Sequence, residues 1–376
     1  MSFCPYFNTN QCYSCSWIDL PYAQQLKKKG ELLHGLLDIF EPQLWLRPTP
    51  SSMKEFRNKA KMVATPSLEG VVLGLSDEVS LIQCPLYNER MQRVLENTQA
   101  WLRELGIKAY DVKKRRGELK YVLLTHSKFD NSMMLRFVLR SHGVVSRLQK
   151  ALPDLIAVAP ELKVITVNIQ PIHMAILEGD EEIFLSEETR LEEKLNGIPL
   201  FIRPKSFFQT NTDVAGKLYK TAAEWVNESN PKLVWDLFCG VGGFALHCAT
   251  PEREIVGIEI ESEAIVCAKI SAKRIGFENL RFEALDAVSF GAEANGNAEV
   301  IIVNPPRRGL GEQLCKWLEG TKSPRILYSS CNAMSLARDL EFLPHYKVNR
   351  VQLFDMFPHT AHFETLVELV IEKSSD

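Results

Sequence analysis

Five short apolar runs, each followed by a helical pattern, constrain the second half of this chain more than any other feature. Leu233–Phe238, Glu254–Ile258, Leu280–Ala284, Val300–Val303 and Arg325–Tyr328 are strand-like, and the stretches between them carry apolar residues at helical spacing. Strands that alternate with helices pair in parallel, because each helical crossover returns the chain to the same end of the sheet. The expected fold class is therefore α/β, with a doubly wound, Rossmann-like domain over residues 205–376 that opens with a helix from Asp213 to Val226.

Upstream the pattern is mixed. Ala23–Ile39 places Leu26, Leu33, Leu36 and Leu37 on one helical stripe, and Phe56–Leu75 reads as two strands joined by a Pro66–Gly70 turn. Met91–Leu105 reads as a helix closed by Gly106. Tyr121–Thr125, Met134–Leu139 and Val164–Ile169 are β-rich runs, with helical patterning near Val144–Leu152. The expectation is a central α+β domain over 91–204, preceded by a separate N-terminal region, 1–90.

Composition excludes some classes. No run approaches the roughly 18 apolar residues of a membrane span, and Met1-Ser2-Phe3-Cys4 lacks the basic start and apolar core of a signal peptide. The nine cysteines, an odd number spread over 376 residues, fit a reducing compartment, so the cytoplasm is expected. With a formal charge of −3, any nucleic-acid binding must rest on local basic patches.

The first strand of the series runs into Cys239-Gly240-Val241-Gly242-Gly243, and Glu259 closes the second. Glycines there let the backbone turn tightly against a ligand, while a carboxylate at the sheet's carboxyl edge can accept both hydroxyl protons of a ribose. Gly240-x-Gly242-x-x-Ala245 also fits a dinucleotide fingerprint, so the glycines and Glu259 alone leave NAD and S-adenosylmethionine open.

The fourth run ends in Asn304-Pro305-Pro306-Arg307, a rigid loop at the mouth of the cleft. An aromatic residue after the prolines would suit methylation of an exocyclic amine, but Arg307 is not aromatic. The fifth run ends in Ser329-Ser330-Cys331-Asn332, which carries a thiol to the same cleft. A thiol there suits a different chemistry. Uracil C5 is too weak a nucleophile to attack a sulfonium methyl, but a thiolate added at C6 makes C5 enolate-like; a base must then remove the C5 proton. Glu364 is the candidate base, whereas Cys239, Cys248, Cys267 and Cys315 read as small buried hydrophobes.

Taken in order, Ser206-Phe-Phe-Gln-Thr-Asn211, Asp236-Leu-Phe-Cys-Gly-Val-Gly-Gly243, Asn304-Pro-Pro-Arg307, Tyr328-Ser-Ser-Cys-Asn332 and Phe357-Pro-His-Thr-Ala-His-Phe-Glu364 resemble the motifs of the RNA uracil-5-methyltransferases. The resemblance covers the C-terminal domain and implies an S-adenosylmethionine-dependent methyltransferase. It implies that Gln209, Phe238, Gly240, Glu259, Asp286 and Asn304 hold the cofactor, with Cys331 as nucleophile and Glu364 as general base. Many members carry Asp at the place of Asn304, and a neutral amide cannot take a proton.

Cys4, Cys12, Cys15 and the distant Cys84 suit an iron–sulfur cluster or a structural zinc on chemistry alone. The resemblance implies a [4Fe–4S] cluster on these four and, among family members, 23S ribosomal RNA as partner with uridine 747 as the target. With three residues ahead of Cys4, no small RNA-binding barrel is expected before it. The central domain is then the expected RNA-binding part. Lys113-Lys-Arg-Arg116 and the alternating Arg57, Lys59 and Lys61 are candidate phosphate contacts, or ordinary solvated charge. Phe3, Tyr6, Phe7, Tyr13 and Trp17 could stack on unpaired bases or pack around the cluster. A uracil must leave its stack to expose C5 and C6, so a flipped or looped-out uridine is expected.

Overall fold

The structure, a computed structural model, describes residues 2–75, 79–173, 176–293 and 298–372, with the backbone alone at 292–293. The chain divides into two compact units: Met1–Ser14 with Lys54–Glu193, and Cys15–Met53 with Lys194–Asp376.

The first unit is built on a six-stranded sheet in the order Gly70–Gly74, Lys59–Ser67, Leu119–His126, Met133–Leu139, Leu162–Ile169, Glu181–Phe184. All neighbours are antiparallel except Met133–Leu139 with Leu162–Ile169, whose parallel pairing needs a crossover, the helix Val145–Val158. The helix Glu89–Glu104 starts where Asn88 accepts a hydrogen bond from the Met91 amide, and it buries Met91, Val94, Leu95, Trp101 and Leu102 at helical spacing. That stripe joins Met62, Leu135, Phe137, Leu148 and Ile165 in one core. Alternation holds along the first long strand: Asn58, Ala60 and Met62 are buried, while Arg57, Lys59 and Lys61 share the less covered face.

The second unit carries an eight-stranded sheet in the order Leu44–Trp45, Tyr346–Phe354, Glu364–Ile371, Arg325–Ser330, Val300–Val303, Leu233–Leu237, Glu254–Glu259, Leu280–Ala284. The five expected strands form and are mutually parallel. From Leu233–Leu237 the chain steps outward to one edge, then returns across it to Val300–Val303. This reversal leaves a crevice at the carboxyl ends of those two strands, where open α/β sheets bind ligands. Glu364–Ile371 inserts antiparallel between Arg325–Ser330 and Tyr346–Phe354.

Residues Cys15–Met53 complete this unit rather than the first. Leu44–Trp45 pairs in parallel with the outer strand, and the helix Tyr22–Leu37 buries Leu33 and Leu37 in the same core as Tyr328, Leu336 and Leu353. Lys29 sits fully buried on that helix and donates to Asp355 Oδ1 at 2.6 Å and to the Phe357 carbonyl at 2.9 Å. A buried ion pair is tolerated only when its remaining valences are met, and Tyr22 Oη supplies one by donating to Asp355 Oδ2 at 2.8 Å.

Candidate active site

At the carboxyl end of Leu233–Leu237 the backbone turns through Phe238, Gly240 and Gly242, all with left-handed φ (62°, 54° and 86°). Left-handed backbone at a non-glycine residue costs roughly 1–2 kcal/mol, so Phe238 stores strain where the chain must bend toward the cleft. A Cβ at Gly240 would enter open space, whereas one at Gly243 would strike the Tyr219 ring at 2.5 Å. The first glycine thus leaves room above the loop and the last lets the next helix close down. The Gly240 amide donates to Glu259 Oε2 at 3.1 Å and the Glu261 amide to Oε1 at 3.1 Å, which aims the carboxylate at the loop. Asp236, fully buried beneath, accepts from the Ala245 amide at 2.9 Å; burial pushes it up to about 7. Gln209 is buried in the loop before the helix Thr212–Asn227, and Asp286 caps a helix by accepting from the Val288 and Ser289 amides.

The thiol end follows from strand register. Ser329 pairs with Leu366 and Ser330 with Thr365, the last pair of the ladder, so Cys331 and Glu364 both lie at its end, where the Glu364 charge acts on the thiol. Glu364 is 2% exposed, and burial raises its carboxyl from the usual range to about 7. Ser329 Oγ donates to Glu364 Oε1 at 2.6 Å, and Asn304 Nδ2 donates to the same oxygen at 3.4 Å. Cys331 is half-buried. Burial, then the Glu364 charge, raises its thiol, while the Arg307 guanidinium opposes this through charge and a hydrogen bond. Arg307 therefore serves the thiol at the place where an amine methyltransferase would present an aromatic ring. Cys331, Arg307, His362 and Phe363 line a cavity of about 600 Å³.

The loop that carries Phe357–Phe363 is held from the N-terminal segment. The His359 amide donates to Gln25 Oε1 at 2.8 Å, its ring meets Gln25 Nε2 and the Met53 carbonyl, and Asn211 Nδ2 donates to Ser51 Oγ at 2.8 Å. Both His359 ring nitrogens are thereby engaged. Of the expected residues, the structure brings together Gly240 with Glu259, and Asn304 with Glu364, Cys331 and Arg307. The helix expected over Ala23–Ile39 forms as Tyr22–Leu37, but sequence reasoning missed Ser329 as a partner of Glu364 and missed the helix's place in the second unit. Strand parity around Cys331 could have found the first; nothing local marks the second.

Cys239, Cys248, Cys267 and Cys315 are buried, as expected. In the first unit, Cys4 is buried and Cys84 half-buried; burial raises the Cys84 thiol to about 11, with Cys4 and Cys12 near enough to add to it. Cys15 opens the second unit. Among the described residues, no three His, Cys, Asp or Glu side chains are already gathered in metal-binding geometry. Lys113–Arg116 are all exposed on a turn pinned by Asp111, which accepts from the Lys113 and Lys114 amides. Phe7 packs edge-on against Tyr13, and Lys54 stands over the Phe3 ring. No helix among the described residues is long and apolar enough to cross a membrane.

A parallel sheet with a glycine turn beside an oriented carboxylate, and a thiol near a buried carboxyl, is an arrangement that suits a methyltransferase acting on a pyrimidine. The chain belongs to the tRNA (Uracil-5-)-methyltransferase family, whose pattern it matches over residues 181–372. It is 52% identical over 372 residues to the 23S rRNA (uracil(747)-C(5))-methyltransferase RlmC of Shewanella loihica, covering 97% of this chain and 98% of that one. To the enzyme of the same description from Proteus mirabilis it is 50% identical, covering 99% and 100%. Among solved structures, it is similar to Pyrococcus abyssi tRNA (uracil-54, C5)-methyltransferase in complex with S-adenosyl-L-homocysteine, with a TM-score of 0.81 and 27% identity over 96% of this chain and 85% of that one.

Proposed function

We propose that this protein transfers a methyl group from S-adenosylmethionine to C5 of a uridine in 23S ribosomal RNA, the uridine at position 747 for which its relatives are named. The observation that carries this reading is the end of the strand ladder, which brings Cys331, at a cavity able to admit a base, within reach of the charge of buried Glu364. Cys331 adds as thiolate to C6, and Arg307 stabilises that thiolate before attack. S-adenosylmethionine supplies the electrophilic methyl group that the resulting C5 carbanion takes up. Glu364, as carboxylate, then removes the C5 proton; the electron pair re-forms the C5–C6 double bond and expels the Cys331 thiolate. The donor leaves as the neutral thioether S-adenosylhomocysteine, and the proton ends on Glu364.

Gln209, Phe238, Gly240, Glu259, Asp286 and Asn304 are proposed to hold the methyl donor. The open space over Gly240 and the two amides that orient Glu259 support this. Cys4, Cys12, Cys15 and Cys84 are proposed to ligate a [4Fe–4S] cluster, a reading supported by the shared neighbourhood of Cys4, Cys12 and Cys84. When bound, a cluster would cross-link distant parts of the chain, and no step above runs through it. An anaerobic preparation is expected to be brown and to hold iron and sulfide; colourless protein containing zinc would refute the cluster. The segment 91–204 is proposed as the RNA-binding part, acting through the exposed Lys113–Arg116 turn, and the work is done in the cytoplasm. The reading as a whole is tested with labelled S-adenosylmethionine and 23S transcripts. Cys331→Ala is expected to abolish transfer, and undiminished transfer by it would sink the mechanism.

A further inference from the structure

We infer that the cavity over Cys331 holds a second nucleobase beside the target uracil, the base of a nucleotide adjoining it in the RNA, seated on the helix Tyr22–Leu37. This inference rests on the uracil-C5 reading. The cavity of about 600 Å³ lies in the range of about 300–1,000 Å³ that takes whole small-molecule ligands, and one pyrimidine ring fills a minor part of it.

The walls differ at the two ends. Arg307 and Cys331 mark the reactive end. Most of the remaining wall is apolar, including Leu32, Gly35 and Leu36 of the helix and Met334, with Glu31, Asn332 and His362 as its polar members; Leu32 and Met334 are left 48% and 67% exposed. Apolar surface beside a reactive pocket suits the face of a base, which packs there whatever its identity. The RNA backbone supplies that occupant, since a flipped uridine carries its neighbours within one nucleotide of the thiol. The wall is also rigid: buried Lys29 and Gln25 tie this helix to Asp355, Phe357 and His359 of the loop that leads to Glu364. A preformed wall costs no ordering when the base arrives.

Glycine provides a clean test. A Cβ at Gly35 meets nothing within 4 Å, so a larger side chain there enters the cavity rather than the core. Gly30, on the same helix, has equally free space but does not line the cavity. Methyl transfer to an RNA hairpin bearing the target uridine is measured for wild type, Gly35→Leu and Gly30→Leu. Gly35→Leu is expected to raise KM about tenfold, equivalent to ~1.4 kcal/mol, with kcat little changed and an unfolding temperature no lower than wild type. Gly30→Leu is expected to behave as wild type. Removing the base on one side of the target should raise the wild-type KM similarly and add nothing in Gly35→Leu. Should the leucine variant fail to fold, Gly35→Ala carries the same test with a smaller rise. An unchanged KM in Gly35→Leu, or abasic RNAs on both sides handled like intact RNA, overturns the inference. Failure of the parent reading looks different: wild-type product would then lack 5-methyluridine.

Discussion

Ser329→Ala removes the shorter of two donors that reach Glu364 inside the sheet. The bond is 2.6 Å and buried, whereas the Asn304 amide stands at 3.4 Å, near the limit of a useful contact. A hydrogen bond to a charged group contributes about 1.5–3 kcal/mol, and one pKa unit corresponds to about 1.4 kcal/mol. Loss of the hydroxyl should therefore raise Glu364 from about 7 by roughly one to two units. In the proposed role only the carboxylate can take the C5 proton, so activity is expected to fall as pH drops through the pKa of Glu364. At pH 7 the ionised fraction would shrink from about half to between ~10% and ~1%, slowing elimination roughly 5- to 50-fold. The step is isolated by forming the covalent protein–RNA adduct and following its decay from about pH 6 to 9.5. The variant should recover wild-type decay at the alkaline end, and Ser329→Thr, which keeps the hydroxyl, should restore the profile. An acid limb that stays in place, or a loss equal at every pH, would refute the assignment of Ser329 and of Glu364 together.

Other consequences can be checked alongside. Glu364→Gln should accumulate the covalent adduct, seen as a slow-migrating band. It should also be the more stable protein at pH 8. A carboxyl raised to about 7 favours the fold below its ordinary value of 4.5 and loses that contribution as pH rises to 7, a difference of up to ~3 kcal/mol by thermal unfolding. Asn304→Asp would set a second carboxyl beside Glu364 and should move the acid limb of adduct decay upward; an unmoved limb would show that the amide donates nothing there. Lys29→Met leaves Asp355 buried without its cation and should cost about 3–5 kcal/mol, a fall of roughly 10 °C in unfolding temperature by calorimetry. Replacing Lys113–Arg116 with serine should raise KM for RNA at unchanged kcat. Its salt dependence, read from KM across salt concentrations, should flatten by about 0.7 for each phosphate left without a cation.

The parallel half of the large sheet was legible because its signal is local. Each of its strands is a short apolar run bounded by turn residues, and the helices between them repeat at 3.6 residues. The same holds for the helix Glu89–Glu104, whose cap and buried stripe lie within its own sequence. What could not be read were pairings that depend on distant partners. Leu44–Trp45 is only two residues long and becomes a strand because the outer edge of the sheet offers unpaired amides and carbonyls. Lys29 and Asp355 are ordinary charges until the fold buries both, and their pairing spans most of the chain. The grouping of Cys15–Met53 with the catalytic unit rests on such pairings, so composition along the chain carries no trace of it.

The candidate site shows the same division in its chemistry. Cys331 could be named from its place at a strand end, but Glu364 could be offered only as one carboxylate among many. Its distinction comes from the antiparallel insertion of Glu364–Ile371, which brings a residue 33 positions downstream to the end of the strand that leads to the thiol. That insertion also explains how an amide can stand at Asn304. With Glu364 buried at 2% exposure, a second carboxylate 3.4 Å away would share its proton, and the two would titrate as a coupled pair. The amide donates to Glu364 Oε1 instead, so the proposed proton removal falls to one carboxyl and its apparent pKa is its own. The pH profile of adduct decay can therefore be assigned to a single group.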